Sequence, residues 1–173
     1  MIVINSRENP HDPGSQRRYS SLQGAGHRPW RFPPNDSFSS GLALALREAW
    51  PAMYKDFRHY CQTAHPKAGT IWAWAAANGT RIVSLFTQAA TYEHGASPGR
   101  ATVENVNHTL RGLRDTCEVE NFSSLALPHL ATGVGGLDWM DVRPMIDKHL
   151  GDLSIPVIVY TTYHAGQAAA EKL

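Results

Sequence analysis

The sequence predicts an α/β fold, in which a layered sheet is covered by helices on both faces. Short apolar runs such as "RIVSLF" and "IPVIVY" alternate along the chain with segments that repeat apolar residues at helical spacing. Nearly continuous apolar strands are typical of sheets that are buried on both faces. The chain has 173 residues, a length that favours one domain with a substantial core.

The N-terminal part has two regions of different character. Residues 1–5 ("MIVIN") predict a short buried strand. Residues 6–37 contain five prolines and five arginines but little periodicity, which predicts irregular coil. This segment is either a long loop or arm lying over the core, or a basic patch that contacts nucleic acid. Its arginines would then meet phosphates while Tyr19, Trp30 and Phe32 stack on bases.

Regular structure is predicted from Gly41 onward. "GLALALREAW" has high helix propensity, and Pro51 suits the first turn of a second helix, "PAMYKDFRHYCQ". The turn "NGT" between "GTIWAWAAA" and "RIVSLFTQ" is a strong hairpin signal. Two strands joined by a tight turn are therefore expected here.

The C-terminal half predicts helix, strand, helix and strand. Residues 101–118 predict the first helix, because apolar residues recur at helical spacing at Val103, Val106, Leu110, Leu113 and Cys117. "SSLALP" predicts a buried strand, "DWMDVRPMIDKHL" a helix, and "IPVIVY" a final buried strand rich in β-branched residues.

Composition argues against several classes of protein. The formal charge of +1 gives no strong overall attraction to nucleic acid or membrane, and no apolar run approaches the roughly 18 residues that a membrane span needs. Cys61 and Cys117 have no zinc or disulfide spacing, and the nine histidines show no metal-binding motif. We expect no metal, no cofactor, no membrane association and a cytoplasmic location.

A glycine-rich stretch raises the main functional question. "SLALPHLATGVGGLDWMDV" (124–142) places three glycines between a strand and a helix that Asp138 can cap. Free backbone N–H groups at Gly133–Leu137, beside a helix N-terminus, would suit a phosphate or diphosphate. The alternative is a tight strand-to-helix turn without a ligand.

A second loop of small residues also opens a helix. "NDSFSSGLALAL" passes through Ser39, Ser40 and Gly41 into the first predicted helix. Two such loops can grip a diphosphate from both sides. Ser40 is equally suited to plain N-capping, so both interpretations stay open.

Residues 36–162 resemble a macrodomain, in the branch of the terminal ADP-ribose protein glycohydrolase and the antitoxins that remove ADP-ribose from DNA. The proline before the loop, the "GVGGLDW" that opens the helix and a last strand ending in "VIVYT" carry the match. The resemblance implies one domain over 1–173, built as a three-layer α/β/α sandwich around a mixed sheet. It implies ADP-ribose as ligand, alone or attached to protein or nucleic acid. The implied ligand-binding residues are Ser39, Ser40, Gly41, Thr132, Gly133, Val134, Gly135, Gly136, Leu137 and Tyr160, the last beside the adenosine.

The catalytic positions depart from the family pattern. The family lysine that follows the strand "RIVSLFT" is Gln88 here, and the glycohydrolase aspartate is replaced by Gly135. Glutamine supplies neither a Schiff-base nucleophile nor a cation. Asp36, near the first loop, is the candidate carboxylate, with Gln88 as the second candidate catalytic residue. The resemblance therefore implies either an ADP-ribosyl hydrolase or a module that binds ADP-ribose or another nucleotide without cleaving it.

Overall fold

The computed structural model describes residues 2–5, 41–90 and 99–160. Five strands and four helices lie in these ranges. The strands are β1 (Ile2–Asn5), β2 (Ile71–Ala75), β3 (Arg81–Leu85), β4 (Leu125–Pro128) and β5 (Val157–Tyr160). The helices are α1 (Gly41–Ala49), α2 (Pro51–Ala64), α3 (Val103–Val119) and α4 (Trp139–Leu150). All the helices and strands predicted from the sequence within the described residues are present.

The strands form one mixed sheet in the order β2-β3-β1-β4-β5. β3 pairs antiparallel with both β2 and β1, and β1 pairs antiparallel with β4. β4 and β5 run parallel. The N-terminal strand therefore lies in the middle of the sheet.

Alternation along β3 separates two hydrophobic layers. Ile82 points to the face covered by α1 and α2, whereas Val83 and Leu85 point to the face covered by α3 and α4. The first layer centres on the buried residues Ala45, Leu46, Met53 and Phe57. The second, larger layer includes Val106, Leu110, Leu113, Val142 and Ile146. The arrangement confirms the three-layer α/β/α sandwich.

Local sequence signals explain where the elements begin. Pro51 occupies the first turn of α2, where its missing N–H costs no hydrogen bond. In the β2–β3 turn Gly79 has φ +88°, and the Asn78 side chain accepts a hydrogen bond from Thr80 N at 3.1 Å. This is the Asn-Gly turn that the sequence predicts.

The prediction that the last strand is buried was wrong in part. All four residues of β5 are half-buried rather than buried, because β5 is the outermost strand of the described sheet and pairs there with β4 alone. Val103 is 49% exposed because it is the first residue of α3 and lies beyond the end of the buried stripe.

Among the described residues, no helix is long and apolar enough to cross a membrane.

Candidate functional site

Three strands end at the same edge of the sheet. β3 and β4 point in the same direction because each is antiparallel to β1, and β5 is parallel to β4. This edge therefore carries Gln88 after β3, the glycine loop (residues 129–137) after β4, and Tyr160 at the end of β5. Tyr160 is the Cα partner of Pro128, directly before the loop. Ligands of α/β sheets bind beyond such carboxyl ends.

The glycine loop folds back on itself. Gly136 N donates to Gly133 O at 3.0 Å, and Leu137 N donates to Ala131 O at 3.1 Å. The expectation that all N–H groups of Gly133–Leu137 are free was therefore wrong for Gly136 and Leu137, because the tight turn uses both. Thr132, half-buried, directs its hydroxyl to the carbonyl oxygen of His129 at 3.5 Å.

Three of the five N–H groups of Gly133–Leu137 are not used by the turn. Those of Gly133, Val134 and Gly135 have no acceptor among the described residues. The Val134 side chain, between the first two glycines, is 84% exposed. Consecutive unused N–H groups of this kind form an anion-binding concavity.

The structure explains the glycine at each of the three positions differently. A Cβ at Gly135 would lie 2.4 Å from Ala131 O and 3.0 Å from the Cβ of Ala101, so the fold excludes any side chain there. Gly136 has φ +72°, a conformation that favours glycine. A Cβ at Gly133 would meet nothing within 4 Å. The turn itself explains Gly135 and Gly136, but it does not explain Gly133.

The start of α4 holds the loop from its C-terminal side. The Asp138 carboxylate accepts a hydrogen bond from Met140 N at 2.8 Å, which confirms the predicted N-cap. The Trp139 ring stacks on the His129 ring with centroids 3.9 Å apart. His129 thus packs across the base of the loop, and its buried Nε2 has no hydrogen-bond partner among the described residues.

A short segment connects Gln88 to the glycine loop. Gln88 Nε2 donates to Gly99 O at 2.9 Å, and Gln88 forms an isolated antiparallel bridge with Ala101. Ala101 N in turn donates to Gly135 O at 3.1 Å. Residues 99–101 therefore lie between the end of β3 and the loop, and they bring Arg100 to the site.

Sequence reasoning did not identify Arg100. Its Nε lies 4.0 Å from the position that a Cβ of Gly136 would occupy. The one signal in the sequence is its place directly after a Pro-Gly pair and before the cap of α3. Nothing in that pattern says that the segment folds against a loop more than 30 residues away.

The remaining predicted site residues are only partly described. Gly41 is the first residue of α1, whereas Asp36, Ser39 and Ser40 lie outside the described residues. The opposing loop and the role of Asp36 therefore stay predictions. Within the described ranges, no group of three or more His, Cys, Asp or Glu side chains is placed to hold a metal ion.

Comparison with known proteins finds two relatives of similar sequence. A Thermosipho africanus protein, named DNA ADP-ribosyl transferase-DNA ADP-ribosyl glycohydrolase fusion protein, is 27% identical over 134 residues. That match covers 69% of this chain and 34% of the relative. A Thermus aquaticus DNA ADP-ribosyl glycohydrolase is 28% identical over 124 residues, which cover 69% of this chain and 33% of that one. The chain thus spans about a third of the length of these curated relatives.

Solved structures with a similar fold include macrodomains. The macrodomain of Thermus aquaticus DarG aligns with a TM-score of 0.61 at 25% identity, covering 72% of this chain and 82% of that chain. The structure of Thermosipho africanus DarTG in complex with ADP-ribose aligns with a TM-score of 0.55 at 25% identity, covering 71% of this chain and 34% of that one. The family model described as "Macro domain" matches residues 35–146. With the sheet order, the glycine loop and this match in agreement, the chain belongs to the macrodomain family.

Proposed function

We propose that this domain binds ADP-ribose at the glycine loop and hydrolyses the bond that joins ADP-ribose to DNA. The observation that carries the proposal is the set of three N–H groups at Gly133–Gly135, in the loop after β4, that have no acceptor within the part of the chain that the structure describes. The glycohydrolase names of two relatives and the ADP-ribose complex among the similar solved structures support the choice of ligand and substrate.

The glycine loop and the end of β5 contact different parts of ADP-ribose. Backbone N–H groups of Gly133–Gly135 bind the diphosphate and the distal ribose, because they are donors without competing acceptors. Gly133 leaves room for close approach, and Val134 lies exposed beside the bound ribose. Tyr160, at the same sheet edge, stacks on the adenine. Ser39, Ser40 and Gly41 close the site from the opposite side.

Hydrolysis requires water to add to the anomeric carbon of the distal ribose. The glycosidic bond breaks, and the departing DNA group takes up the proton that the water has lost. In this proposal Asp36 deprotonates the water as general base. Gln88 cannot act as a nucleophile. Its Nε2 is engaged by Gly99 O, so its amide oxygen is the atom that orients the water or a ribose hydroxyl.

A non-catalytic ADP-ribose-binding module is the second candidate. It is favoured by Gln88, whose neutral amide braces residues 99–101 instead of presenting a charge to the ligand. Binding is common to both candidates, whereas turnover separates them.

The test uses calorimetry and a release assay on the same protein. Calorimetric titration with ADP-ribose is expected to show saturable binding, and an ADP-ribosylated oligonucleotide is expected to lose its ADP-ribose. Asp36→Ala should abolish release with binding retained. Binding without release by the wild type would establish the second candidate, and release gained by Gln88→Lys would then trace the loss to that position. Absence of binding would refute both.

Two wider proposals accompany this function. The arginine-rich segment 6–37 contacts the nucleic acid that carries the modification; its five arginines support this. Deleting residues 6–37 should then weaken binding to the oligonucleotide more than binding to free ADP-ribose, and equal effects would contradict a contact between this segment and nucleic acid.

The second wider proposal is that the domain works in the cytoplasm. Its two cysteines, both free thiols, are compatible with a reducing compartment.

A further inference from the structure

We propose that Arg100 is a ligand-binding residue, which binds phosphate at the glycine loop and supplies the positive charge that Gln88 lacks. The inference rests on the proposed function, since it assigns a further ligand contact to the same site.

The backbone on both sides of Arg100 is anchored. Gly99 N donates to Ala89 O at 3.2 Å, and Gly99 O accepts from Gln88 Nε2 at 2.9 Å. On the other side Ala101 is only 5% exposed, and its N–H donates to Gly135 O at 3.1 Å. Arg100 lies between these two hydrogen-bonded residues, so the position of its backbone beside the loop is fixed.

The charge of Arg100 is not neutralised within the described part of the chain. Arg100 is exposed and has no carboxylate within 4.0 Å there. By contrast, Arg81, Arg114 and Arg143 each pair with a carboxylate. The Asp138 carboxylate at the loop is already used as a helix cap.

The groups around the Arg100 side chain favour an anionic ligand. The Arg100 Nε borders Gly136, one residue beyond Gly133–Gly135, whose three N–H groups have no acceptor among the residues described. A guanidinium donates up to two parallel hydrogen bonds to a phosphate, and backbone N–H groups contact the remaining oxygens. The helices α3 and α4 also begin at this edge, and their N-termini favour negative charge. Residues 130–138 themselves contain no lysine or arginine.

Two phosphates of the substrate have this chemistry. One is the diphosphate of ADP-ribose, and the other is a phosphodiester of the DNA that carries it. Binding to free ADP-ribose tests the first, and binding to an ADP-ribosylated oligonucleotide tests either.

The experiment compares Arg100→Ala with Arg111→Ala by calorimetry. Arg111 is also an exposed arginine, and it lies eight residues along α3 from Val103, the residue at the helix end nearest the loop. Loss of one charge-assisted contact should weaken binding about tenfold at low salt, and the deficit should shrink as salt screens the charge. Arg100→Lys should restore part of the affinity, and Arg111→Ala should bind as the wild type does.

The outcomes are distinct. A deficit with free ADP-ribose assigns Arg100 to the diphosphate, and a deficit with the modified oligonucleotide alone assigns it to the phosphodiester. Equal affinity of Arg100→Ala and wild type for both ligands overturns the inference while leaving the proposed function intact. Failure of the wild type to bind either ligand refutes the proposed function itself.

Discussion

Single residues at this site can be separated into those that the fold requires and those left for a ligand. The sequence shows three glycines near a helix start, but it does not say which of them the turn needs. The structure separates them, because a side chain is excluded at Gly135 and meets open space at Gly133. The close approach of Gly135 to Ala101 joins distant parts of the chain, so no local pattern predicts it.

The pair Gly133→Ala and Gly135→Ala tests this distinction. Gly135→Ala forces a methyl group against Ala131 O and should lower the free energy of unfolding by about 2–4 kcal/mol. Gly133→Ala should change it by less than about 0.5 kcal/mol. If ligand packs on the loop, Gly133→Ala should nevertheless weaken ADP-ribose binding. Urea denaturation and calorimetry on both variants measure this, and a stable Gly133→Ala with unchanged affinity would contradict close packing of the ligand there.

At the scale of elements, α3 and α4 are joined by polar contacts at their ends. The Arg114 guanidinium pairs with Asp152 and donates to His149 O at 2.9 Å. His149 Nε2 lies 2.6 Å from Asn107 Oδ1, so the imidazole donates to the amide oxygen. The helices α3 and α4 could be predicted from apolar residues at helical spacing and from capping residues. These contacts were not, because they depend on how two helices distant in sequence are oriented.

The contacts of His149 predict how stability depends on pH. Burial, together with the positive charges of Lys148, Arg111 and Arg114, lowers the pKa of His149 below its ordinary value of 6.5. The folded protein then resists protonation that the unfolded chain accepts. The contribution is therefore complete above pH 6.5 and is lost as the pH falls toward the folded pKa, by at most about 1.4 kcal/mol per pH unit for one proton.

Urea denaturation between pH 7.5 and 5.5 measures this dependence. The wild type should lose stability across the range, and His149→Gln should lose less. His108→Gln is the matched control, since His108 is an exposed histidine of α3 beside Glu104. An unchanged slope in His149→Gln would show that another group titrates. At lower pH the Arg114 hydrogen bond, which holds the pKa of Asp152 below its usual value, adds a further loss.

At the scale of the whole molecule, the family resemblance predicts more than local pattern does. Alternating helices and strands predict a sheet covered on both faces, and the resemblance adds the mixed sheet and three layers. The central position of β1 has no local signal, because its pairing with both β3 and β4 joins positions about 80 and 120 residues apart. The same strand order brings Gln88, the glycine loop and Tyr160 to one edge. The site is thus a product of non-local pairing, although its glycine loop is visible in the sequence.

Because the site is assembled from several strand ends, ligand binding should stabilise the domain as a whole. ADP-ribose at about 100 times its dissociation constant should add roughly 2.7 kcal/mol to the free energy of unfolding. For a chain of this length the midpoint of thermal unfolding should rise by roughly 5–10 °C. Thermal unfolding monitored by circular dichroism, with and without ligand, measures the shift.

Adenosine provides the control that locates the source of this stabilisation. It retains the base that Tyr160 is proposed to contact but lacks the diphosphate that the glycine loop and Arg100 are proposed to hold. A large shift with ADP-ribose and a small one with adenosine is therefore expected. Equal shifts would place the binding energy on the adenosine side and contradict the anion-binding role of the loop. If ADP-ribose, AMP and ADP all leave the midpoint unchanged, the glycine loop serves the fold alone.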